Sequence, residues 1–273
     1  TWVTGVQTCA LPISIHANCK FWRGYSLLRK SSSLYWANWF KPTKIASYEV
    51  SLMSFGVTFT NDSDVVTLDS EFSRLVVLEK GAWSGSGSGV SVPFAKTITT
   101  DEPPLVFVRP DAGNGYVYFC LILGSSGAWT GFSFGANRNL PSTGKWFAGA
   151  FASQPTATYG LRLWDASSKL LFDSGTPCAQ FTRTITGWTY LGSTGDPPGS
   201  GQYRYSWTAP SPLDTGDYML LNNIAMDIAG VVSRQGNVYA IWEYNNNRLV
   251  IQVVGVDLPS ALYMPVVFAK PVS

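Results

Sequence analysis

Val238–Val254 reads VYAIWEYNNNRLVIQVV. Two runs of alternating apolar residues, Val238–Tyr244 and Arg248–Val254, flank Asn245-Asn246-Asn247. Asparagine tolerates the positive φ that a tight hairpin turn needs, and β-branched and aromatic residues suit a pleated surface, so an antiparallel hairpin is expected here. The same pattern, short apolar alternations broken by Gly, Pro, Asn, Asp and Ser, recurs along the chain. It places strands over Val57–Thr60, Val65–Asp69, Leu75–Glu79, Leu105–Arg109, Tyr116–Leu123, Gly131–Phe134 and Phe147–Ala152. Further strands are expected over Leu161–Trp164, Leu170–Asp173, Gln180–Thr184, Tyr203–Trp207 and Tyr263–Ala269. No convincing amphipathic helix competes, and Leu220–Ile228 is the nearest approach to one. The expected fold is all-β, with antiparallel strands in a β-sandwich or sandwiches.

A repeat bears on how the strands are organised. Gly56–Ser70 reads GVTFTNDSDVVTLDS and Gly160–Ser174 reads GLRLWDASSKLLFDS. Aligned without a gap, each opens with Gly, alternates, turns at Asn/Asp and Ser, and ends in Asp-Ser, whose side chains can bond their own backbone and stop the strand. This suggests two β lobes, 53–153 and 154–273, or else a single sandwich with the two hairpins in equivalent places. Ser84–Gly89 (SGSGSG) and the Gly- and Pro-rich Gly192–Gly201 read as loops.

The first residues read differently. Val3–Ile13 is VTGVQTCALPI, and residues 1–14 resemble a translated sequencing adapter, which implies a metagenomic fragment. A secretory signal fits poorly, with no basic start and with Pro12 interrupting the only apolar run. Ile15–Leu52 carries six Lys and Arg against Glu49 alone, and its Trp22, Trp36 and Trp39 follow no strand or helix period. Glu49–Val50 can encode a ribosome-binding core ahead of Met53. Residues 1–52 are therefore expected to be adapter plus upstream read-through, poorly packed, with the protein proper starting at Met53. The alternative is a basic N-terminal arm.

From Met53 onward there are 13 Lys and Arg against 16 Asp and Glu, a net charge of −3. The basicity that would favour nucleic acid lies mostly in the first 52 residues. The single histidine, His16, lies there too, leaving Cys120 and Cys178 but no His for a zinc set or a nucleophile–base pair. Neither a metal site nor a cofactor is expected. Cys120 sits in an apolar run and reads as a small buried hydrophobe, while Cys178 follows Pro177 in a loop. No apolar stretch is long enough to insert in a membrane as a helix.

Several motifs occur together in order: Thr100-Asp101-Glu102-Pro103-Pro104 leading into Val106-Phe107-Val108-Arg109; Thr143-Gly144-Lys145-Trp146-Phe147; Tyr159-Gly160-Leu161-Arg162-Leu163-Trp164-Asp165; and Trp207-Thr208-Ala209-Pro210. With the Asp-Ser hairpins they resemble an uncharacterised family of small β-rich tail-associated proteins of tailed bacteriophages and prophages, encoded in the tail-tip and fibre region. The resemblance spans nearly all of 53–273. It implies a virion structural protein of the tail, assembled in the bacterial host cytoplasm, with other phage tail proteins, a homo-oligomeric copy or a host-surface glycan as partners. The family brings no catalytic residues with it. A carbohydrate-binding β-sandwich module is the alternative, and a glycoside hydrolase a more distant one.

A hydrolase of that kind needs two facing carboxylates. Glu71, Glu79, Glu102 and Glu243 are available, and Glu243 beside Trp242 is the most suggestive, yet no spacing singles out a pair. Asp62, Asp64 and Asp69 lack the Gly and Glu positions of a calcium loop. No enzymatic activity is expected. Aromatic residues carry the binding hint, since they pack on sugar faces and anchor interfaces. Trp129, Trp188 and Tyr203 lie next to loops and are the candidate binding residues, whereas Trp146 and Trp164 alternate with apolar neighbours as core residues do. A chain shortened to Met53–Ser273 should unfold in urea at the same midpoint as the full chain; a loss of about 1.5–3 kcal/mol or more would mean that a large side chain of Ile15–Leu52 is buried.

Overall fold

The computed structural model describes residues 19–21, 57–60, 66–69 and 73–272, except 86–88, 112–113, 137–141, 166, 215, 225–226 and 230–233. The adapter-like residues 1–14, Met53, Glu71 and the turn carboxylates Asp62 and Asp64 lie outside the described residues. The fold is all-β, 61% strand and 3% helical, far from the roughly one-third helix of an ordinary globular domain. Every strand pairing among the described residues is antiparallel.

Two compact units divide the chain, Thr1–Phe72 and Ser73–Ser273. The first holds a three-stranded sheet of β1 (Cys19–Phe21), β2 (Val57–Thr60) and β3 (Val66–Asp69), in that order. β1 falls within residues 1–52 and pairs with β2.

The second unit begins with β4 (Val76–Gly85), β5 (Val90–Ile98), β6 (Leu105–Pro110), β7 (Asn114–Ser125), β8 (Ala128–Ala136) and β9 (Ser142–Ala150). The short hairpin β10 (Arg162–Trp164) and β11 (Leu170–Asp173) follows, then β12 (Cys178–Ile185), β13 (Thr189–Gly195), β14 (Tyr203–Thr208) and β15 (Tyr218–Leu220). β16 (Asp227–Ala229), β17 (Arg234–Glu243), β18 (Arg248–Gly255) and β19 (Val266–Val272) complete it. One sheet runs β13-β14-β18-β17-β7-β8-β5, with β16 added on β17. The other runs β12-β19-β15-β6-β9-β4 and closes on itself, since Cys178 pairs with Val76. Both sheets take strands from each of the two expected lobes, 53–153 and 154–273.

The two sheets pack as a sandwich. In the shared core, Val108, Trp146, Ala148, Met219 and Phe268 of the closed sheet join Val117, Phe132, Ala240, Trp242, Ile251 and Val253 of the open one. Successive strand side chains leave opposite faces. Phe107 and Phe147, cross-strand partners, therefore stack 4.6 Å apart on the other face of β6 and β9, with Leu75, Val77, Leu220 and Ala269. Bulky rings fit because glycines face them. Gly81 pairs with Trp146 and Gly144 with Trp83, so each indole lies over a residue without a side chain.

The long hairpin forms as expected: β17 and β18 are joined by a 3-10 turn, Tyr244–Asn246, and Asn247 takes the left-handed conformation at φ 48°. The hairpins β2–β3 and β10–β11 pair in matching register, Thr58–Asp69 and Phe59–Leu68 in one, Arg162–Asp173 and Leu163–Phe172 in the other. In the second, the Asp173 carboxylate is buried and accepts N–H bonds from its own Gly175, from Ala157 and from Arg162. Gly160, at φ 136°, is required there, because a Cβ would lie 1.9 Å from the Ser174 Oγ.

Three expectations fail. Cys178 does not lie in a loop: it opens β12, opposite Val272 on β19 and Val76 on β4. Trp164 is not core: Leu163 takes the inward position and Trp164, on the opposite parity, is half exposed. The run from Gly192 is not all loop, because Thr189–Gly195 pairs with β14, Gly192 sitting at φ 118° where the register shifts. Gly144→Ala should cost about 1–3 kcal/mol in urea unfolding, since its Cβ would lie 2.5 Å from the Trp83 ring. Gly187→Ala, with open space around it, should change stability by less than about 0.5 kcal/mol.

Candidate functional site

The open sheet has one buried face and one outer face. Along β17, Val238, Ala240 and Trp242 enter the core, which turns Tyr239 and Ile241 outward. Strand register carries that outward row across the sheet: Tyr118 opposes Tyr239, Tyr239 opposes Gln252, and Val254 opposes Arg204. Tyr118 lies flat over cross-strand Gly135, where a Cβ would sit 2.3 Å from its ring. Tyr239 packs on it at 4.8 Å between centroids, and Tyr116 closes the cluster at 6.1 Å from each.

The β13–β14 turn forms the wall. Asp196 N–H donates to Gln202 O at 2.9 Å, and Ser200 N–H to Pro197 O at 3.1 Å. Across the turn, Arg204 Nη2 and Nε donate to Asp196 Oδ2 at 2.6 and 3.1 Å. The result is a hollow of about 350 Å³ lined by Tyr116, Tyr239, Arg204, Asp196, Gln202 and Gln252, with Pro197, Ile241 and Val254. That is at the small end of ligand sites, about 300–1,000 Å³. Its chemistry is flat aromatic surface beside planar donors and acceptors. It contains one carboxylate, already ion-paired, whereas glycoside cleavage uses two.

The aromatic residues singled out by sequence are not brought together. Trp129, on β8, is half-buried against the core and its indole N–H donates to Thr100 O at 2.8 Å. Trp188, between β12 and β13, is also half-buried, its indole N–H donating to Met264 O at 2.8 Å. Tyr203, at the start of β14, is 43% exposed and packs edge-on to Tyr205 at 6.4 Å. Tyr116, Tyr239, Arg204, Asp196, Gln202 and Gln252 were missed. The only signal available was the outward parity of Tyr239 and Gln252 once Val238 and Ile251 are placed inward.

Glu243 stands at the end of β17, bonded by Arg248 and by Asn246 at 3.0 Å. Desolvation pushes its carboxyl up, but the hydrogen bonds from Arg248 and Asn246 outweigh this and hold it below the usual range. It is a poor proton donor for glycoside chemistry, which calls for a raised carboxyl. Burial pushes the Cys120 thiol up to about 12, so it stays protonated; Cys178 is a second free thiol, and the two do not pair. Among the described residues no cluster of His, Cys, Asp and Glu could hold a metal, and no helix is long and apolar enough to cross a membrane.

Comparison with protein-family models, curated proteins and solved structures finds no match. Trp129→Ala and Trp188→Ala should each lower stability in urea by about 1–3 kcal/mol, because each removes an indole N–H from a backbone carbonyl and opens a gap against the core, although Thr100 O keeps the Gly127 N–H at 3.0 Å. Tyr203→Ala should stay within about 0.5 kcal/mol of the parent.

Proposed function

We propose that the protein is a tail-associated bacteriophage protein that works by association, and that the outer face of its open sheet is the contact surface for a saccharide of the host surface. The carrying observation is the hollow between Tyr116 and Tyr239 on one side and Asp196, Gln202 and Arg204 on the other. Tyrosine rings offer an apolar face for sugar C–H groups, and the planar Arg, Asp and Gln side chains offer paired donors and acceptors for hydroxyls. The Arg204–Asp196 pair holds both groups in place before a ligand arrives, which lowers the ordering cost of binding.

The tail assignment rests on the ordered motifs of the sequence. Their buried members, among them Val106, Phe107, Val108, Trp146, Phe147, Leu163, Trp207 and Ala209, build the frame of the fold. None of the residues lining the hollow belongs to them. The resemblance therefore speaks for the frame, and the outer face is where one such protein would differ from another in what it recognises. Other tail proteins have the sheet edges β5 and β13 to pair with.

The full chain, titrated calorimetrically against purified lipopolysaccharide, capsular and wall polysaccharides, should bind one of them. Tyr239→Ala and Arg204→Ala should each weaken binding about tenfold or more, about 1.4 kcal/mol, with unfolding midpoints unchanged. Failure to bind any of the panel, or binding indifferent to both substitutions, would remove the saccharide reading. Release of reducing sugar would make the protein an enzyme. Gold-labelled antibody on intact virions should decorate the tail, and a bare tail would remove the virion assignment.

A further inference from the structure

We infer, resting on the saccharide reading above, that the hollow on the tyrosine face takes a neutral sugar unit and grips it by two neighbouring hydroxyls. The ligand class is then neutral polysaccharide, not a polymer bearing uronate or phosphate. Among the described residues that line the hollow, only Asp196 and Arg204 are charged, and they are bonded to each other. Their charges cancel. An anionic group would have to draw Arg204 away from Asp196, and it would then lie against the Asp196 carboxylate. A cationic group would meet the Arg204 guanidinium. A ligand of either sign therefore pays a repulsion that a neutral one escapes, and mismatched charge is a strong means of rejecting a partner.

The way the pair is bonded decides what it offers. Arg204 Nη2 and Nε both donate to one oxygen, Asp196 Oδ2. Arg204 Nη1 and Asp196 Oδ1 form no hydrogen bond among the described residues, and both side chains reach solvent. One ion pair thus holds a spare donor and a spare acceptor in place. A guanidinium only donates and a carboxylate only accepts, whereas a hydroxyl does both. Of two hydroxyls on adjacent ring carbons, one can donate to Oδ1 while the other accepts from Nη1. Gln202 and Gln252 add amides that carry no charge. The floor suits the apolar face of a sugar ring: Tyr239 and Ile241 project from β17, Tyr116 lies opposite Ile241, and Val254 lies opposite Arg204.

The test titrates the full chain with a neutral mannan, galactan and glucan, and with polygalacturonate and a polyol phosphate polymer, in low salt and in about 0.5 M salt. A neutral polymer should bind, with affinity changing less than about threefold between the two salts and falling about tenfold or more in Tyr239→Ala. Cleaving its vicinal diols with periodate, then reducing with borohydride so that no charge is added, should abolish binding. Asp196→Asn keeps the shape of the side chain but leaves Arg204 unmatched. It should weaken the neutral polymer about tenfold and raise affinity for an anionic one about threefold or more. The unfolding midpoint should not move, since an exposed ion pair contributes little, so lost binding there is not lost folding. Binding of an anionic polymer alone, abolished by Tyr239→Ala, would overturn this inference and leave the saccharide reading standing. Binding that survives periodate, or that is indifferent to Asp196→Asn, would do the same. Binding of no polymer, or binding indifferent to Tyr239→Ala, would remove the saccharide reading and this inference with it.

Discussion

Trp146 and Phe147 are adjacent residues on β9, and the body of the protein turns on the fact that they point opposite ways. Trp146 enters the core between the sheets and meets Phe132 edge-on at 5.2 Å; Phe147 stacks on Phe107 on the far side. Both are almost wholly buried, and on β6 Val106, Phe107 and Val108 are all inaccessible. The closed sheet is thus apolar on two faces through its middle. Burial of this kind contributes about 1.5–3 kcal/mol for each large side chain, and it leaves those residues no exposed face.

That constraint decides where chemistry can go. Val106, Phe107 and Val108 on β6 and Trp146, Phe147 and Ala148 on β9 are buried, and the charged pair Arg109 and Lys145 faces across these strands just before that run on β9 and just after it on β6. The open sheet buries one face only, and Tyr239, Gln252 and Arg204 occupy its free side. The tyrosine surface follows from how many faces each sheet must bury. Its hollow is lined by a single carboxylate, Asp196.

The two kinds of sheet were not equally legible in the sequence. The turn Asn245–Asn247 and the alternation around it are local, and they identified β17 and β18 outright. The run Leu105–Arg109 could be recognised as a strand, but its continuous apolar character hides two-sided burial, which depends on partners far along the chain. Trp129 and Trp188 looked like surface residues because they border loops. Their indoles are held by carbonyls 29 and 76 residues away, and no local pattern carries such a pairing. The tyrosine site failed to register for a related reason. In VYAIWEY, Tyr239 is as apolar as its neighbours, and only the strand order β14-β18-β17-β7 brings Arg204 and Tyr116 to it.

The charges follow the same logic of burial. Asp173 and Asp217 are buried, and an unpaired buried carboxylate is costly, so each needs its cation: Arg162 for the first, Arg183 and Lys270 for the second. Arg183 is held further by its position over the Phe268 ring at 4.5 Å. Exposed lysines have no comparable obligation, because a surface pair contributes about 0–1 kcal/mol at most. The ion pairs that the fold depends on are therefore those at Asp173 and Asp217, and a count of charges could not single them out.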